Sequence, residues 1–236
     1  MPSGRGRNLV RMLLTLGFAF TLMAANDEVF SSRLVKAAPP LFADPTSAQW
    51  RNAPSVVAAQ DRYGQPLPGA HTEIRSLWTS ENLYFLFSAH YEAMYLRPEP
   101  QLDKETFGLW DFDVVEVFIG HDLEKPHLYK EFEVSPRGEW VDLDVDKSKK
   151  DIADWKWDSN FRFHTRIDEG KKTWHCLMEI PWKSIAPARP KAKQEFRLNL
   201  YRIEGGPEKR KYITWRAVQS PSFHTPAAFG RLRLLK

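Results

Sequence analysis

The feature that most constrains this chain is the run Val114-Val115-Glu116-Val117-Phe118-Ile119. It is entered through Gly108-Leu109-Trp110-Asp111-Phe112-Asp113 and closed by Gly120. β-Branched and aromatic residues at every position but one predict a strand buried on both faces. The exception is Glu116, a carboxylate that is costly in such a run unless donors reach it. Just before the strand, Trp110 stands among acids, which argues against its full burial. A strand that delivers one flat apolar ring and one carboxylate to a shared place suits a sugar. The C–H face of a sugar stacks on the ring and its hydroxyls donate to the acid.

The rest of the chain repeats short extended segments. Alternating or continuous apolar runs at 72–78, 83–89, 129–134, 140–145, 161–167, 173–180, 196–203 and 212–218 read as strands. Ser80-Glu81-Asn82, Pro136-Arg137-Gly138 and Asp168-Glu169-Gly170 read as the turns between neighbours. The segment 91–107 has prolines, charges and no period, and reads as a long loop. Pro181-Trp182-Lys183-Ser184-Ile185 allows one helical turn, and no longer stretch has a 3.6-residue period. This pattern predicts an all-β chain, an antiparallel β-sandwich of two sheets with Greek-key or jelly-roll connections.

The N-terminus carries a separate message. Arg5, Arg7 and Arg11 precede an apolar run from Met12 to Ala25, the arrangement of a secretory signal removed near Ala25. An uncleaved membrane anchor is the competing reading, although the run is short for a membrane span. Residues 1–25 are therefore expected to direct secretion or periplasmic export, 26–38 to form a linker, and 39–236 to form one domain. Setting aside the three arginines of the signal leaves 31 basic side chains against 30 acidic ones. A nearly neutral domain lacks the electrostatic footprint of a nucleic-acid binder. The single cysteine, Cys176, permits no internal disulfide and reads as a small buried residue on a strand.

Trp110-x-x-Asp113-x-Val115-Glu116-Val117-Phe118-Ile119 resembles the signature of family 9 carbohydrate-binding modules. The segments 77–85, 179–182 and 199–202, and Phe223-His224-x-Pro226-x-x-Phe229-Gly230-x-Leu232, resemble further parts of that family in the same order. The resemblance runs from about Leu41 to the C-terminus. It implies a β-sandwich that binds carbohydrate without catalysis, in support of extracellular carbohydrate catabolism. It places Trp110 and Phe223 on opposite sides of one terminal sugar of an oligosaccharide or polysaccharide, with Glu116 accepting hydroxyl hydrogen bonds. Phe223 stands where a second tryptophan is common, and Glu133 where some modules carry a cation. Arg202 and His224 follow as possible donors. The resemblance also implies structural calcium and exported glycoside hydrolases as partners.

Other readings of the same residues stay open. Both rings could be core, and Glu116 could be a buried acid paired with Arg202. Asp142-x-Asp144-x-Asp146 places three carboxylates on one side of a strand, where they are either calcium ligands or a solvated face. A haem-binding sandwich would draw axial ligands from His90, Met94, His175 and Met178. A small glycoside hydrolase would use Glu116 and Glu133 as its two carboxyl groups.

Overall fold

The computed structural model describes residues 28–236, so the expected export signal at 1–25 lies outside the described residues. Thirteen strands account for the architecture. They are β1 (Val29–Leu34), β2 (Ser55–Ala58), β3 (Gln60–Asp61), β4 (Thr72–Trp78), β5 (Asn82–His90), β6 (Val114–Gly120) and β7 (Leu128–Val134). The series continues with β8 (Trp140–Asp146), β9 (Arg162–Asp168), β10 (Thr173–Pro181), β11 (Glu195–Glu204), β12 (Lys211–Thr214) and β13 (Gly230–Leu235). Among the described residues helix is confined to single turns such as Ala48–Arg51 and Trp182–Ile185. Among the described residues no helix is long and apolar enough to cross a membrane.

The strands join in one curled, mixed sheet of order β8-β7-β6-β11-β13-β1-β4-β5-β10-β9, with β2, β3 and β12 attached at its sides. This differs from the expected pair of separate, wholly antiparallel sheets. The difference lies in β1, inside the stretch read as a linker. It runs parallel to β13, with Phe30 beside Leu232 and Ser32 beside Leu234. On its other side it runs parallel to β4, with Arg33 beside Leu77 and Leu34 beside Trp78. The backbone of β1 thus links two antiparallel halves that would otherwise end in open edges. Phe30 anchors it with ring centroids 6.3 Å from Phe85 and 6.1 Å from Trp215. Ser76 donates to Ser32 Oγ at 2.8 Å, which satisfies two buried hydroxyls.

The main core draws on both halves: Val115, Val117 and Ile119 of β6 and Leu198 and Leu200 of β11 cluster with Phe85 and Phe87 of β5 and with Cys176 and Met178 of β10. Successive side chains of a strand point to opposite faces, so the other face of β6 must be buried elsewhere. There Val114 and Phe118 join a second apolar cluster with Leu109, Tyr129, Tyr201, Phe223 and Phe229. The run with one acid in it is therefore covered on both sides, and Glu116 points toward the second, smaller cluster.

Candidate functional site

The register of three neighbouring strands builds the floor of the site. On β6, Glu116 lies opposite Glu133 of β7, and Phe118 lies opposite Glu131. On the other side, Glu116 lies opposite Tyr201 of β11. Residues facing each other across an antiparallel pair sit with Cβ atoms about 4.5–5.5 Å apart. Three carboxyl groups and two aromatic rings therefore share one face. Above them opens a cavity of about 250 Å³, lined among others by Trp110, Glu116, Glu131, Glu133, Phe223 and His224. That is smaller than the roughly 300–1,000 Å³ typical of drug-sized sites, so it suits one small ring.

Five of the six residues named from the sequence meet in this cavity: Trp110, Glu116, Glu133, Phe223 and His224. Trp110 belongs to a short 3-10 turn, Leu109–Asp111, entered through Gly108 at φ 88°. That left-handed conformation favours glycine, and it swings the indole from the strand toward the cavity. The ring of Trp110 is half-buried and meets Phe107 edge-on at 5.0 Å. Phe223 lies flat on Tyr201, with centroids 3.9 Å apart and planes 16° apart, and is 8% exposed. One face of Phe223 is thus already occupied by the protein. Arg62 lines the rim, its guanidinium 4.2 Å above the Tyr212 ring.

Glu131 was not singled out in the sequence, although a signal for it existed. It stands two residues from Glu133 on an alternating strand, and a period of two puts both on one face. All three glutamates are at most 2% exposed. Glu116 Oε2, Glu131 Oε2 and both oxygens of Glu133 lack a hydrogen-bond partner in the protein. Burial pushes the Glu131 carboxyl up to about 7. Burial first, and then the charge of Glu131, holds Glu116 well above the usual carboxylate range. Glu133 is raised by burial and by its neighbours Glu116 and Glu131. Desolvation and like charge act in the same direction here.

His224 closes one end. Its Nδ1 lies 2.6 Å from the hydroxyl of Tyr129. Burial, with a contribution from the Lys147 charge, depresses the imidazole to about 4, so it is neutral at pH 7. Burial also keeps the Tyr129 phenol protonated. The phenol and the neutral imidazole thus share one hydrogen bond through Nδ1, which leaves Nε2 as the ring nitrogen not used in it.

Arg202 does not reach this site. It follows Tyr201, so its side chain lies on the opposite face of β11, where it is fully buried. Its Nη1 donates to the carbonyl of His90 at 2.6 Å and to Thr72 Oγ1 at 3.2 Å, and its Nη2 pairs with Glu204 at 2.5 Å. The expected pairing of Arg202 with Glu116 is therefore corrected to Arg202 with Glu204.

The haem-ligand candidates are also separated. Met178 is in the main core, whereas His175, three residues earlier on β10, faces the other way and bonds Ser88 Oγ at 2.9 Å. His90 is exposed, and Met94 only flanks the core. His90 lies beside Thr173 and His175 beside Ser88, so the two histidines stand next to each other on one face of the sheet rather than on opposite sides of a gap.

The acids Asp142, Asp144 and Asp146 do not converge either. Asp144 pairs with Lys130 at 2.5 Å, and Asp146 accepts from the Ser148 hydroxyl at 2.6 Å. Instead Asp142 meets Glu105 and Asp158, with one oxygen of each within 4.8 Å of the others. Ser159 donates to Asp142 Oδ2 at 2.6 Å, while Asp142 Oδ1 and Glu105 Oε1 are buried without partners. An all-oxygen set of three acids fits a hard cation such as calcium, and would supply three of its six to eight ligands. Burial and the neighbouring acids push Glu105 up to about 7, which a bound cation would reverse.

A further depression beside Arg162, Glu179 and Trp182 offers less. Its acid is already paired, Arg162 to Glu179, at 2.6 Å.

The first 187-residue match among curated proteins is the endo-1,4-beta-xylanase A of Thermotoga neapolitana, 24% identical over 79% of this chain. The chain spans about 16% of that xylanase's length. A family 9 carbohydrate-binding module from Caldicellulosiruptor kristjanssonii, solved with cellotriose, has a TM-score of 0.62 at 12% identity, covering 88% of this chain and 94% of that one. The same organism's module solved with glucose has a TM-score of 0.61 at 13% identity, covering 86% of this chain and 95% of that one. These two likenesses concern the fold. The model of the family described as carbohydrate family 9 binding domain-like matches residues 45–236, and the chain belongs to that family.

Proposed function

We propose that this chain is a non-catalytic carbohydrate-binding domain that holds one terminal sugar of an oligosaccharide or polysaccharide. Trp110 and Phe223 supply the apolar walls, Glu116 and Glu133 accept from hydroxyls, and His224 Nε2 bonds a further one. The observation that carries this reading is the cavity itself: two aromatic rings stand over buried carboxyl oxygens that have no partner in the protein. Such oxygens call for donors from outside, and sugar hydroxyls are donors beside a C–H face that stacks. Support also comes from relatives, since the solved modules of similar fold hold cellotriose and glucose. We further propose that the basic, apolar segment 1–25 exports the chain, which then assists exported glycoside hydrolases in carbohydrate catabolism.

A glycosidase reading draws on the direct opposition of Glu116 and Glu133, which brings two carboxyl groups to one cavity as such enzymes require. Such enzymes push their two carboxyl pKa values apart, one acid and one ionised nucleophile. Here burial raises both carboxyl groups alike, rather than raising one and lowering the other. Calorimetric titration with glucose, cello-oligosaccharides and xylo-oligosaccharides, run beside a reducing-sugar assay, tests the binding reading. Heat of binding without sugar release is expected. Release abolished by Glu116→Gln would establish the enzyme instead.

A further inference from the structure

The cavity holds more acid than a neutral sugar uses. Glu116, Glu131 and Glu133 are 2%, 2% and 1% exposed, and four of their six oxygens lack a protein partner. Among the described residues no lysine or arginine makes an ion pair with any of them. The nearby cations are held elsewhere: Lys130, between Glu131 and Tyr129 in the chain, turns to the other face and binds Asp144, and Lys147, whose charge acts on Glu131 from the edge of the site, stands 5.6 Å over the Trp155 ring. Arg202 binds Glu204, and Arg210 reaches Asp111 at 3.5 Å. Arg62 lies over the Tyr212 ring and donates to the Pro221 carbonyl, at the rim and away from the floor. His224 Nδ1 comes within 3.9 Å of Glu131 Oε2, but the imidazole is neutral and that nitrogen is bonded to Tyr129.

Buried carboxylates are held by a counter-charge, or they remain protonated. A hydroxyl offers one donor and no charge. An ammonium offers three donors and a full charge, and it also interacts favourably with an aromatic face such as that of Trp110. A bare metal ion fits less well, because the three glutamates are not gathered as Glu105, Asp142 and Asp158 are. The acids are spread along two strands, Glu116 across from Glu133 and Glu131 one pleat further along. That spread suits a ring with several donors, one of them charged.

We propose, building on the carbohydrate-binding reading above, that the sugar held here carries a free amine: a hexosamine whose ammonium sits between Glu116 and Glu133 while its ring rests against Trp110. The ammonium replaces the protons that the paired acids otherwise retain, and the remaining hydroxyls reach Glu131 and His224.

The test is calorimetric titration of the full chain at pH 7 with glucosamine, N-acetylglucosamine and glucose, and with their dimers where the monomers bind weakly. Acetylation keeps the ring and removes the charge, so the comparison isolates the ammonium. Glucosamine is expected to bind at least tenfold more tightly than either neutral sugar. Glu133→Gln should shrink that ratio at least fivefold, with Glu116→Gln, the other acid beside the ammonium, as the second variant if the first does not fold. Glucose or N-acetylglucosamine binding as tightly as glucosamine would overturn the amine and leave the carbohydrate-binding reading in place. Binding of none of the three, nor of their oligomers, would overturn both.

Discussion

Glu116 on β6 and Glu133 on β7 face each other directly across an antiparallel pair, both buried and neither in an ion pair among the described residues. Like charges opposite one another on a sheet are destabilising, and burial adds to that cost. A pair of this kind weakens the fold, and its position in the wall of a cavity gives that cost a use.

Glu116→Gln removes one charge while keeping size, and its new amide can donate to Glu133. At pH 8 the variant should gain about 1 kcal/mol of stability, or about 2–4 °C in Tm for a domain of this size. Its affinity for sugar should fall about tenfold or more. Scanning calorimetry beside titration checks both. A variant melting well below wild type would reveal a structural partner for Glu116.

Trp110 and Phe223 should separate in their effects. Trp110 is half-buried at the cavity mouth, so Trp110→Ala should cost little stability and about 1–3 kcal/mol of sugar binding. Phe223 is stacked on Tyr201, so Phe223→Ala leaves a cavity and should cost about 3–5 kcal/mol of stability as well. Denaturant titration of the two variants distinguishes them.

Stability should fall as pH rises above about 6.5. Glu131 has a folded value of about 7 against 4.5. Its contribution is complete below pH 4.5 and is lost as pH rises through 7. Glu116 and Glu133, also raised by burial, add a loss of the same sign. His175 and His224, depressed from 6.5 to about 4, act oppositely, but only between those values. Above 6.5 the histidines no longer contribute and the acids alone set the slope. Melting temperatures from pH 6.5 to 9 check the sign, and Glu131→Gln should flatten the lower part of the curve.

Phe30→Ala should cost about 3–5 kcal/mol, since Phe30 is 1% exposed and packs between Phe85 and Trp215. A residue in a linker would give no such loss in a urea melt.

Calcium should raise Tm through Glu105, Asp142 and Asp158. A hundredfold excess over Kd adds about 2.7 kcal/mol, and Asp142→Asn should abolish the increment in a melt with and without chelator.

Much of this molecule was legible because strand alternation is local. The run from Val114 to Ile119 announced burial on both faces, and its one acid announced a site. The same period of two would have joined Glu131 to Glu133. What sequence could not assign is which face of one strand meets which face of another. Arg202 left the site because Tyr201, not Arg202, falls opposite Glu116, a register set between strands more than eighty residues apart. Likewise β1 shows no alternating apolar pattern, since Ser31, Ser32 and Arg33 interrupt Val29, Phe30 and Leu34. It becomes a strand because edges contributed by β4 and by β13, some two hundred residues further along, offer unpaired backbone groups on both sides. Composition and periodicity determined that the chain would be built of strands, and where an acid would be trapped beside aromatic rings. Long-range backbone pairing alone decided that the two halves close into one sheet, and that three glutamates meet there with no lysine or arginine in an ion pair with them among the described residues.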